Sequence, residues 1–496
     1  MSPAISTGRV ARALFWTALE SGGLCALSFG TLVVLSHFLT PAEFGIGAVT
    51  LAVVQILNIP VEMLFHDALV QRDTVEDRHY DTAFAVSFVV GAALSGLCWA
   101  LAPGFARIVH EPMAGPALAW MSLSLPISGL GCAIMARLRR ELQFRPLAVR
   151  SLTGRAVGAV ASIVLAASGA GVWSLVVQQV AIQGIAIGTV WMIGGRRPHF
   201  RFEARAFAEL FGFGLRAVAV LGVFFAMQRV FLLLAGLLLG ASAAGYLNMA
   251  FRTVDMLRDL LASAVSQLIL PVFARLQGDR SRLESAYESA VETTAALGFP
   301  VFLGLFATAP DFVPLIFGRE WLPAVPFVQV VALAAIPFFC RMFSAPAMTA
   351  LGAPHGALAS AIPDLALIII GMITIGRHSE LHASLLWLGR QAVTVPLDTI
   401  VLRHFSGLGI AAQYRGIPLL VALGAAMVAA VTLVGEALPA GLAPALRLAL
   451  LVAIGALAYP ALLWLMRPAL CGRLLGLAGM AVRAERSPRE TVPMDA

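Results

Sequence analysis

The segment FAELFGFGLRAVAVLGVFFAMQRVFLLLAGLLLGASAAGYLNMAFRTVDMLRDLLASAVSQLILP, Phe207 to Pro271, contains two apolar runs joined by a short turn at Leu238 to Tyr246. Arg229 lies twelve residues before Ala241, and Arg252 lies eleven residues after it. At about 1.5 Å per helical residue, both arginines are predicted roughly 17 Å from the turn, near the centre of a hydrocarbon layer about 30 Å thick. The segment therefore predicts two membrane-spanning helices that each carry an arginine at mid-depth.

The second run carries further charges. Asp255 and Asp259 follow Arg252 at spacings of three and seven residues, which place all three on one helix face, with Arg258 beside them. An ionisable residue inside a membrane costs about 2.5–3.5 kcal/mol on insertion scales and is kept where it faces protein or water. These charges predict a substrate or ion pathway.

The composition of the whole chain indicates the same class. Of its 496 residues, 59% are hydrophobic and 12% are charged, and the mean hydropathy is +0.88. These values predict an all-α polytopic membrane protein. All 34 Lys+Arg positions are arginine, so a P-loop lysine and a Schiff-base lysine are excluded, which disfavours ATP hydrolysis and aldehyde chemistry. The isolated cysteines and scattered histidines favour packing, and neither a metal site nor a catalytic residue is predicted.

Charge clusters and Pro/Gly turns divide the chain into about fourteen candidate spans. Their predicted bounds are 14–38, 44–65, 82–102, 114–136, 149–168, 171–193, 210–238, 243–268, 290–312, 325–348, 356–375, 382–402, 417–436 and 446–466. Loop arginines concentrate on one side, whereas Arg107, Arg319 and Arg377 fall on the other. The positive-inside rule then predicts that both termini lie in the cytoplasm, and it accounts for the net charge of +7 without nucleic-acid binding.

The chain also repeats itself at an offset of 200 residues. SHFLTPAEFGIGAVTLAVVQ (Ser36 to Gln55) aligns with GLLLGASAAGYLNMAFRTVD (Gly236 to Asp255), which matches Gly45 with Gly245. Two parallel six-helix bundles are predicted at 1–205 and 206–405. Two additional helices follow at 406–466, and then a cytoplasmic tail at 467–496 whose polar end is typical of disorder.

Four motifs resemble those of one family: FLTPAEFG (Phe38 to Gly45), GLLLGASAAGY (Gly236 to Tyr246), AFRTVDMLRDLLASAVSQLILPVFARLQ (Ala250 to Gln277) and LIFGREWLPA (Leu315 to Ala324). Together they resemble the polysaccharide-export flippases, the Wzx-type oligosaccharide-lipid translocases of the MATE-like MOP exporter superfamily. The resemblance implies two bundles in a V-shaped arrangement and alternating access. It also implies export of undecaprenyl-pyrophosphate-linked oligosaccharide units from the cytoplasmic to the periplasmic leaflet, for exopolysaccharide, capsule or O-antigen biosynthesis.

The resemblance further implies partners and an energy source. The expected ligands are the lipid-linked oligosaccharide and membrane lipids, and the expected protein partners are a polysaccharide polymerase and a chain-length regulator. The transport unit is expected to be a monomer, and a proton or sodium gradient takes the place of a bound cofactor.

Guanidinium groups suit such a substrate because they donate bidentate hydrogen bonds to phosphate oxygens. We expect a cationic cavity lined first by Arg229 and Arg252, and then by Arg216, Arg341 and Arg390. The alternative is that the arginines form ion pairs that join helices. Such pairs would be Arg252 with Asp255, Arg390 with Asp398, and Arg155 with Asp364.

Four acids within predicted spans are candidates for ion coupling, namely Glu20, Glu62, Asp255 and Asp364. Burial favours the protonated form of a carboxyl group, which a proton-coupled cycle requires. Glu20 has no basic neighbour in the sequence and is the first choice. Glu62 lies near the cytoplasmic end of its span, where solvation is the alternative.

Other functions stay open. A cation-coupled multidrug exporter of the same fold would favour acids and aromatic residues over arginine in its cavity. A membrane-embedded polysaccharide polymerase or ligase would use a large extramembrane loop, whereas the predicted loops are short. A purely structural membrane scaffold is disfavoured by the repeated halves and the buried charges.

Overall fold

The computed structural model describes residues 7–193, 195, 197–275, 279–351, 353, 356–439, 441–474 and 476, and their side chains except at 7–15, 220–221, 262–272, 274–275 and 357. Within these ranges the chain forms nineteen α-helices and no strand, which confirms the predicted all-α class. The first ten are α1 (Thr7–Ser36), α2 (Pro41–Gln71), α3 (Asp77–Val109), α4 (Ala114–Met121), α5 (Ser124–Gly129), α6 (Cys132–Arg140), α7 (Phe144–Ala167), α8 (Val172–Ile193), α9 (Ala204–Leu239) and α10 (Ala241–Arg275). The others are α11 (Arg280–Ile316), α12 (Val325–Arg341), α13 (Ser344–Ala350), α14 (Gly356–Thr374), α15 (Glu380–Gly389), α16 (Gln391–Ser406), α17 (Ile410–Tyr414), α18 (Ile417–Ala437) and α19 (Pro444–Met466).

Each predicted span overlaps one long helix or a run of consecutive shorter helices. By length and apolar composition, the described residues contain twelve helices able to cross a membrane, or thirteen if the bent α4–α6 segment counts as one span. The charged helix α10 is not among these. The chain is thus a multi-pass membrane protein, and the predicted count of about fourteen spans is approximate.

Contacts divide the chain into two compact units. The first comprises Met1–Ser263, Val313–Val331 and His355–Leu397, and the second comprises Ala264–Phe312, Ala332–Pro354 and Asp398–Ala496. The sequence-based division into bundles at 1–205 and 206–405 and helices at 406–466 stays a prediction. Most of the predicted tail at 467–496 lies outside the described residues.

In the first unit, α2 packs closely against α9 and α10. A Cβ atom on Gly45 of α2 would overlap the carbonyl oxygen of Ala241, and one on Gly245 of α10 would overlap that of Pro41. The glycines that the repeat aligns therefore meet each other where α2 and α10 begin. Near the other end of α2, a Cβ on Gly214 of α9 would overlap the carbonyl of Leu64. Small residues let these backbones approach within van der Waals contact, which is how helices associate in a membrane.

Aromatic side chains surround the contact of α2 with α10. The buried Trp321 ring lies edge-on to Phe44 and to Tyr246, with centroids 5.2 and 6.2 Å away. Its indole Nε1 donates a hydrogen bond to the carbonyl of Ser36 at 3.0 Å. Trp321 therefore joins the end of α1 to the first turns of α2 and α10, and its one polar atom is satisfied.

Charged residues join α2 and α3 to the start of α9. Arg72 Nη2 lies 2.6 Å from Glu209 Oε2, and the buried His79 contacts the same oxygen at 3.0 Å. His79 Nδ1 accepts a hydrogen bond from the Glu76 amide, so its Nε2 carries the proton donated to Glu209. This hydrogen bond, followed by the charges of Arg72 and Arg78, lowers the pKa of Glu209. The Glu209 carboxylate is thereby kept ionised at the point where α2 ends and α3 and α9 begin.

The fourth predicted span, which belongs to the first unit, is a broken helix. The axis bends by 44° between Ala114–Gly129 and Cys132–Arg140, close to Pro126, which lacks a backbone donor. A Cβ on Gly129 would lie 2.6 Å from the carbonyl oxygen of Ser87, so α3 and α5 touch through their backbones here. Just before the break, Ser128 of α5 donates a hydrogen bond to Glu62 of α2.

The second unit is held by ion pairs at both ends of α19. Arg447 Nε lies 2.8 Å from Asp311 Oδ1, and the buried Glu292 contacts both Arg467 and Arg473 at 2.9 Å. Because Asp311 and Glu292 both belong to α11, this helix fixes the two ends of the C-terminal span.

We expect Gly45→Ala to destabilise the protein because its methyl group would overlap the Ala241 carbonyl. Overpacking of this kind costs about 1–3 kcal/mol. The measurement is the thermal unfolding midpoint of the purified protein in detergent. Gly184→Ala is the matched control, since nothing lies within 4 Å of its Cβ position and both changes raise helix propensity equally. Equal midpoints for the two variants would contradict this packing.

Candidate functional site

One face of α2 forms the wall of a cavity in the first unit. Its lining residues recur every three or four positions from Phe44 through Gln55 and Asn58 to Glu62, the spacing of a single helix face. The cavity has a volume of about 340 Å³ and is completed by side chains from α4, α7, α8, α9 and α10. A second cavity of about 100 Å³ shares Gln55, Arg229 and Arg252 with it.

Arg229 of α9 is held in a defined orientation at this cavity. Its Nε donates to Gln55 Oε1 of α2 at 2.9 Å, and its Nη1 donates to Gln228 Oε1 at 2.9 Å. The Gln228 amide in turn donates to Asp255 Oδ2 of α10 at 2.8 Å. A chain of hydrogen bonds therefore joins α2, α9 and α10 through one guanidinium group.

Arg252 of α10 and Arg155 of α7 line the same cavity. The charges of Arg155 and Arg229 both act on Arg252, and like charges repel each other in a medium of low dielectric constant. Among the described residues, Arg252 has no ion-pair partner, and the buried Nε of Arg155 has no hydrogen-bond partner. Three guanidinium groups thus converge on one space with little compensation from the protein.

Glu62 is the acid in the lining of the larger cavity. Ser128 Oγ donates to its Oε1 at 2.6 Å, and Gln183 Nε2 of α8 donates to the same atom at 3.4 Å. Glu62 and Glu20 both act electrostatically on Arg150 of α7. With three arginines and one carboxylate, the lining of the cavity carries a net positive charge.

Arg155 and the amides are lining residues that the sequence analysis did not select. Arg155 carried the same signal as Arg229, a charge inside a predicted span. The amides belong to Gln178, Gln179 and Gln183 of α8, Gln55 and Asn58 of α2, and Asn248 of α10. The sequence feature that could have identified the three glutamines of α8 is the run VVQQVAIQG (Val176 to Gly184), in which they interrupt a predicted span.

Three arginines expected at the cavity lie outside the lining of both cavities. Arg216 is exposed, and its Nε donates to the carbonyl of Gly212 at 3.0 Å. Arg390 is buried, forms an ion pair with Asp364 and lies 3.9 Å from the centre of the Trp387 ring. Arg341 pairs with Asp398 at 3.3 Å in the second unit.

The ion pairs differ from those weighed in the sequence. Asp364 pairs with Arg390 and not with Arg155, and Asp398 pairs with Arg341. Asp255 pairs with Arg258 at 2.8 Å, one helical turn onward, and not with Arg252. The acids that were weighed as partners of Arg155 and Arg252 therefore pair with other arginines, and both Arg155 and Arg252 line the cavity.

The candidate acids fall into different surroundings. Asp255 lines the smaller cavity, Asp364 is neutralised by Arg390, and Glu20 is half-buried on α1. Glu62 alone of the four lines the larger cavity.

In the part of the chain that the structure describes, no group of three His, Cys, Asp or Glu side chains is arranged to hold a metal ion.

Comparison with known proteins bears on this site. The sequence model of a family described as "Polysaccharide biosynthesis protein" matches residues 34–326, a range that includes every lining residue named here. The succinoglycan biosynthesis transport protein ExoT of Rhizobium meliloti (strain 1021) is 28% identical over 336 residues, 67% of this chain and 68% of ExoT. The lipopolysaccharide biosynthesis protein WzxC of Escherichia coli (strain K12) is 21% identical over 65% of this chain and 66% of WzxC.

Among solved structures, the lipid II flippase MurJ in an inward closed conformation superposes with a TM-score of 0.73. The superposition covers 91% of this chain and 99% of MurJ at 13% identity. Agreement of backbone structure at so low an identity shows a shared fold. It confirms the transporter fold that the sequence motifs implied.

We expect Arg390 to be structural. Breaking a buried ion pair costs about 3–5 kcal/mol because one charge stays buried alone. Arg390→Gln or Asp364→Asn should therefore lower the yield of folded protein sharply, and the double variant should recover part of it. Folded yield is measured by fluorescence-detected size-exclusion chromatography, with Arg216→Gln as the exposed control. A double variant worse than both single variants would contradict the pairing.

Proposed function

Because the chain belongs to the family of polysaccharide biosynthesis proteins, we propose that it is a flippase for undecaprenyl-pyrophosphate-linked oligosaccharide units. It moves them from the cytoplasmic to the periplasmic leaflet by alternating access, for exopolysaccharide, capsule or O-antigen biosynthesis. The observation that carries this proposal is the convergence of Arg155, Arg229 and Arg252 on one cavity of a membrane protein.

The physical argument rests on charge balance. A pyrophosphate cannot enter hydrocarbon without replacing its hydration shell, and guanidinium groups replace it with charge-assisted hydrogen bonds. The three arginines are themselves costly to bury without a counter-ion. Ligand and cavity therefore compensate each other, with Arg229 already oriented by Gln55 and Gln228. A cationic drug would meet repulsion in the same place.

The proposal includes a location and an energy source. The flippase lies in the bacterial inner membrane with both termini in the cytoplasm, as the arginine distribution predicts. It carries out no chemistry on its substrate and works with a polymerase and a chain-length regulator. A proton gradient drives the cycle through Glu62, which lines the cavity beside the binding arginines.

We expect Arg155→Gln, Arg229→Gln and Arg252→Gln each to slow flipping at least about tenfold, since a hydrogen bond to a charged group contributes about 1.5–3 kcal/mol. The measurement is translocation of a fluorescent undecaprenyl-pyrophosphate oligosaccharide in proteoliposomes. Arg216→Gln, outside the cavity, is the matched control and should flip at the wild-type rate.

Two results would contradict the flippase. Equal flipping by all variants would make the cavity arginines structural. Failure of the wild type to flip the lipid, together with extrusion of a cationic dye, would favour the multidrug exporter.

We expect a proton gradient to accelerate flipping by the wild type but not by Glu62→Gln, because an amide cannot exchange a proton with the cavity. Rates are compared in the same proteoliposomes with and without an imposed pH difference. Glu20→Gln is the matched acid control and should keep the acceleration. Acceleration retained in Glu62→Gln and lost in Glu20→Gln would assign coupling to α1 instead.

A further inference from the structure

The cavity has chemically different ends, ordered along α2. Gln55 contacts Arg229 and so marks the cationic end. Asn58 follows about one helical turn later, and Glu62 one turn beyond that. At about 1.5 Å per residue, Gln55 and Glu62 are roughly 10 Å apart along the axis. Along α2 the lining thus changes from Gln55, which holds the Arg229 guanidinium, to the Asn58 amide and then to the Glu62 carboxylate.

The amides of α8 lie opposite this part of α2. Leu175 packs against Gly47 of α2, and Gln183 reaches Glu62. The two helices therefore run in the same direction, and Gln179 lies between these two levels. Gln179 and Gln183 are four residues apart, so they share one helix face toward the cavity.

Two of these amides have polar atoms without a partner in the described part of the chain. One is Asn58, whose Oδ1 is buried and accepts no hydrogen bond there. Gln179 makes no side-chain hydrogen bond among the described residues, although it lines the cavity. Buried polar atoms are nearly always hydrogen-bonded, and apolar side chains of similar shape would fill this space without that requirement. The amides therefore point to a ligand with its own donors and acceptors.

We propose that Asn58, Gln179 and Gln183 bind the hydroxyl groups of the sugar attached to the pyrophosphate, and that Glu62 restricts this sugar to one without a carboxylate. The proposal rests on the proposed function. An amide both donates and accepts, as a sugar hydroxyl does, whereas an ionised carboxylate only accepts. Glu62 can thus accept from a hydroxyl group, but it repels the carboxylate of a uronic acid, which is discrimination by a repulsive contact.

The size of the cavity limits this recognition to the first sugar. About 340 Å³ is near the lower end of the range for small-ligand pockets, about 300–1,000 Å³. With the pyrophosphate at Arg229 and Arg252, the adjoining space at Asn58 and Glu62 accommodates the neighbouring sugar. Sugars further along the oligosaccharide lie outside this pocket, and its side chains do not bind them.

The test is equilibrium binding to the full chain in nanodiscs, without any gradient, so that it is independent of coupling. Three probes share one short polyprenyl pyrophosphate: the bare pyrophosphate, its glucose conjugate and its glucuronic acid conjugate. We expect the wild type to bind the glucose conjugate about tenfold more tightly than either other probe, the effect of one or two hydrogen bonds.

The variants separate the sugar contacts from the phosphate contacts. Asn58→Leu and Gln179→Leu should remove the advantage of the glucose conjugate while leaving bare pyrophosphate binding unchanged, which also shows that they fold. Glu62→Gln should bring the glucuronic acid conjugate close to the glucose conjugate. Gln71→Leu, an exposed amide of the same helix, is the matched control and should bind all probes as the wild type does.

The outcomes distinguish the two proposals. If the wild type binds all three probes equally, the sugar site is overturned while the cationic site stands. The same holds if Asn58→Leu and Gln179→Leu keep the glucose preference. If Glu62→Gln still rejects the glucuronic acid conjugate, the role of Glu62 is overturned. Failure of the wild type to bind any probe would overturn the flippase proposal and the sugar site with it.

Discussion

The close approach of α2 to α9 and α10 is the constraint on which the rest of the first unit depends. Backbone contact at Gly45, Gly214 and Gly245 leaves no freedom to slide α2 along its neighbours. In a membrane, where lipid is as apolar as a leucine side chain, such contact supplies much of the association energy. Because α2 is fixed at both ends, the stripe from Phe44 to Glu62 becomes a rigid wall. The arginines of α9 and α10 are positioned against that wall.

The protein treats its buried charges in two ways. Two arginines are neutralised by ion pairs, Arg390 with Asp364 and Arg341 with Asp398. These pairs stabilise the helix packing, and removal of one partner leaves an isolated charge. Within the described ranges of the chain, Arg155 and Arg252 have no such acid, and Arg229 is held by neutral amides rather than by a carboxylate. The difference separates arginines that join helices from arginines that await an anion. In the sequence the two kinds of arginine cannot be told apart, because both lie within predicted spans.

The sequence predicted most of the spans from hydropathy, whereas the charged α10 was delimited by the turns and charge clusters at its ends. Arg229 and Arg252, which were predicted at one depth from their distances to the turn at Ala241, line the same cavity. The sequence did not predict which acid pairs with which arginine, or that Arg155 and the glutamines of α8 line the cavity. Those facts depend on the rotation of each helix about its own axis. In α7 and α8 the polar residues are not gathered on one face opposite an apolar one, so no amphipathic pattern fixes that rotation.

Helix α10 has a consequence for how the chain enters the bilayer. Arg252, Asp255, Arg258 and Asp259 lie within little more than two turns, and at about 2.5–3.5 kcal/mol each they oppose insertion of this helix by itself. α9 is strongly apolar and is joined to α10 through Gly240, whose positive φ of 94° makes the turn tight. The hydrogen bond from Gln228 to Asp255 forms only when α9 and α10 lie side by side, and the one from Arg229 to Gln55 forms only when α9 lies beside α2. Biogenesis therefore requires that α9 and α10 leave the translocon as a hairpin, with α2 already in place to receive them.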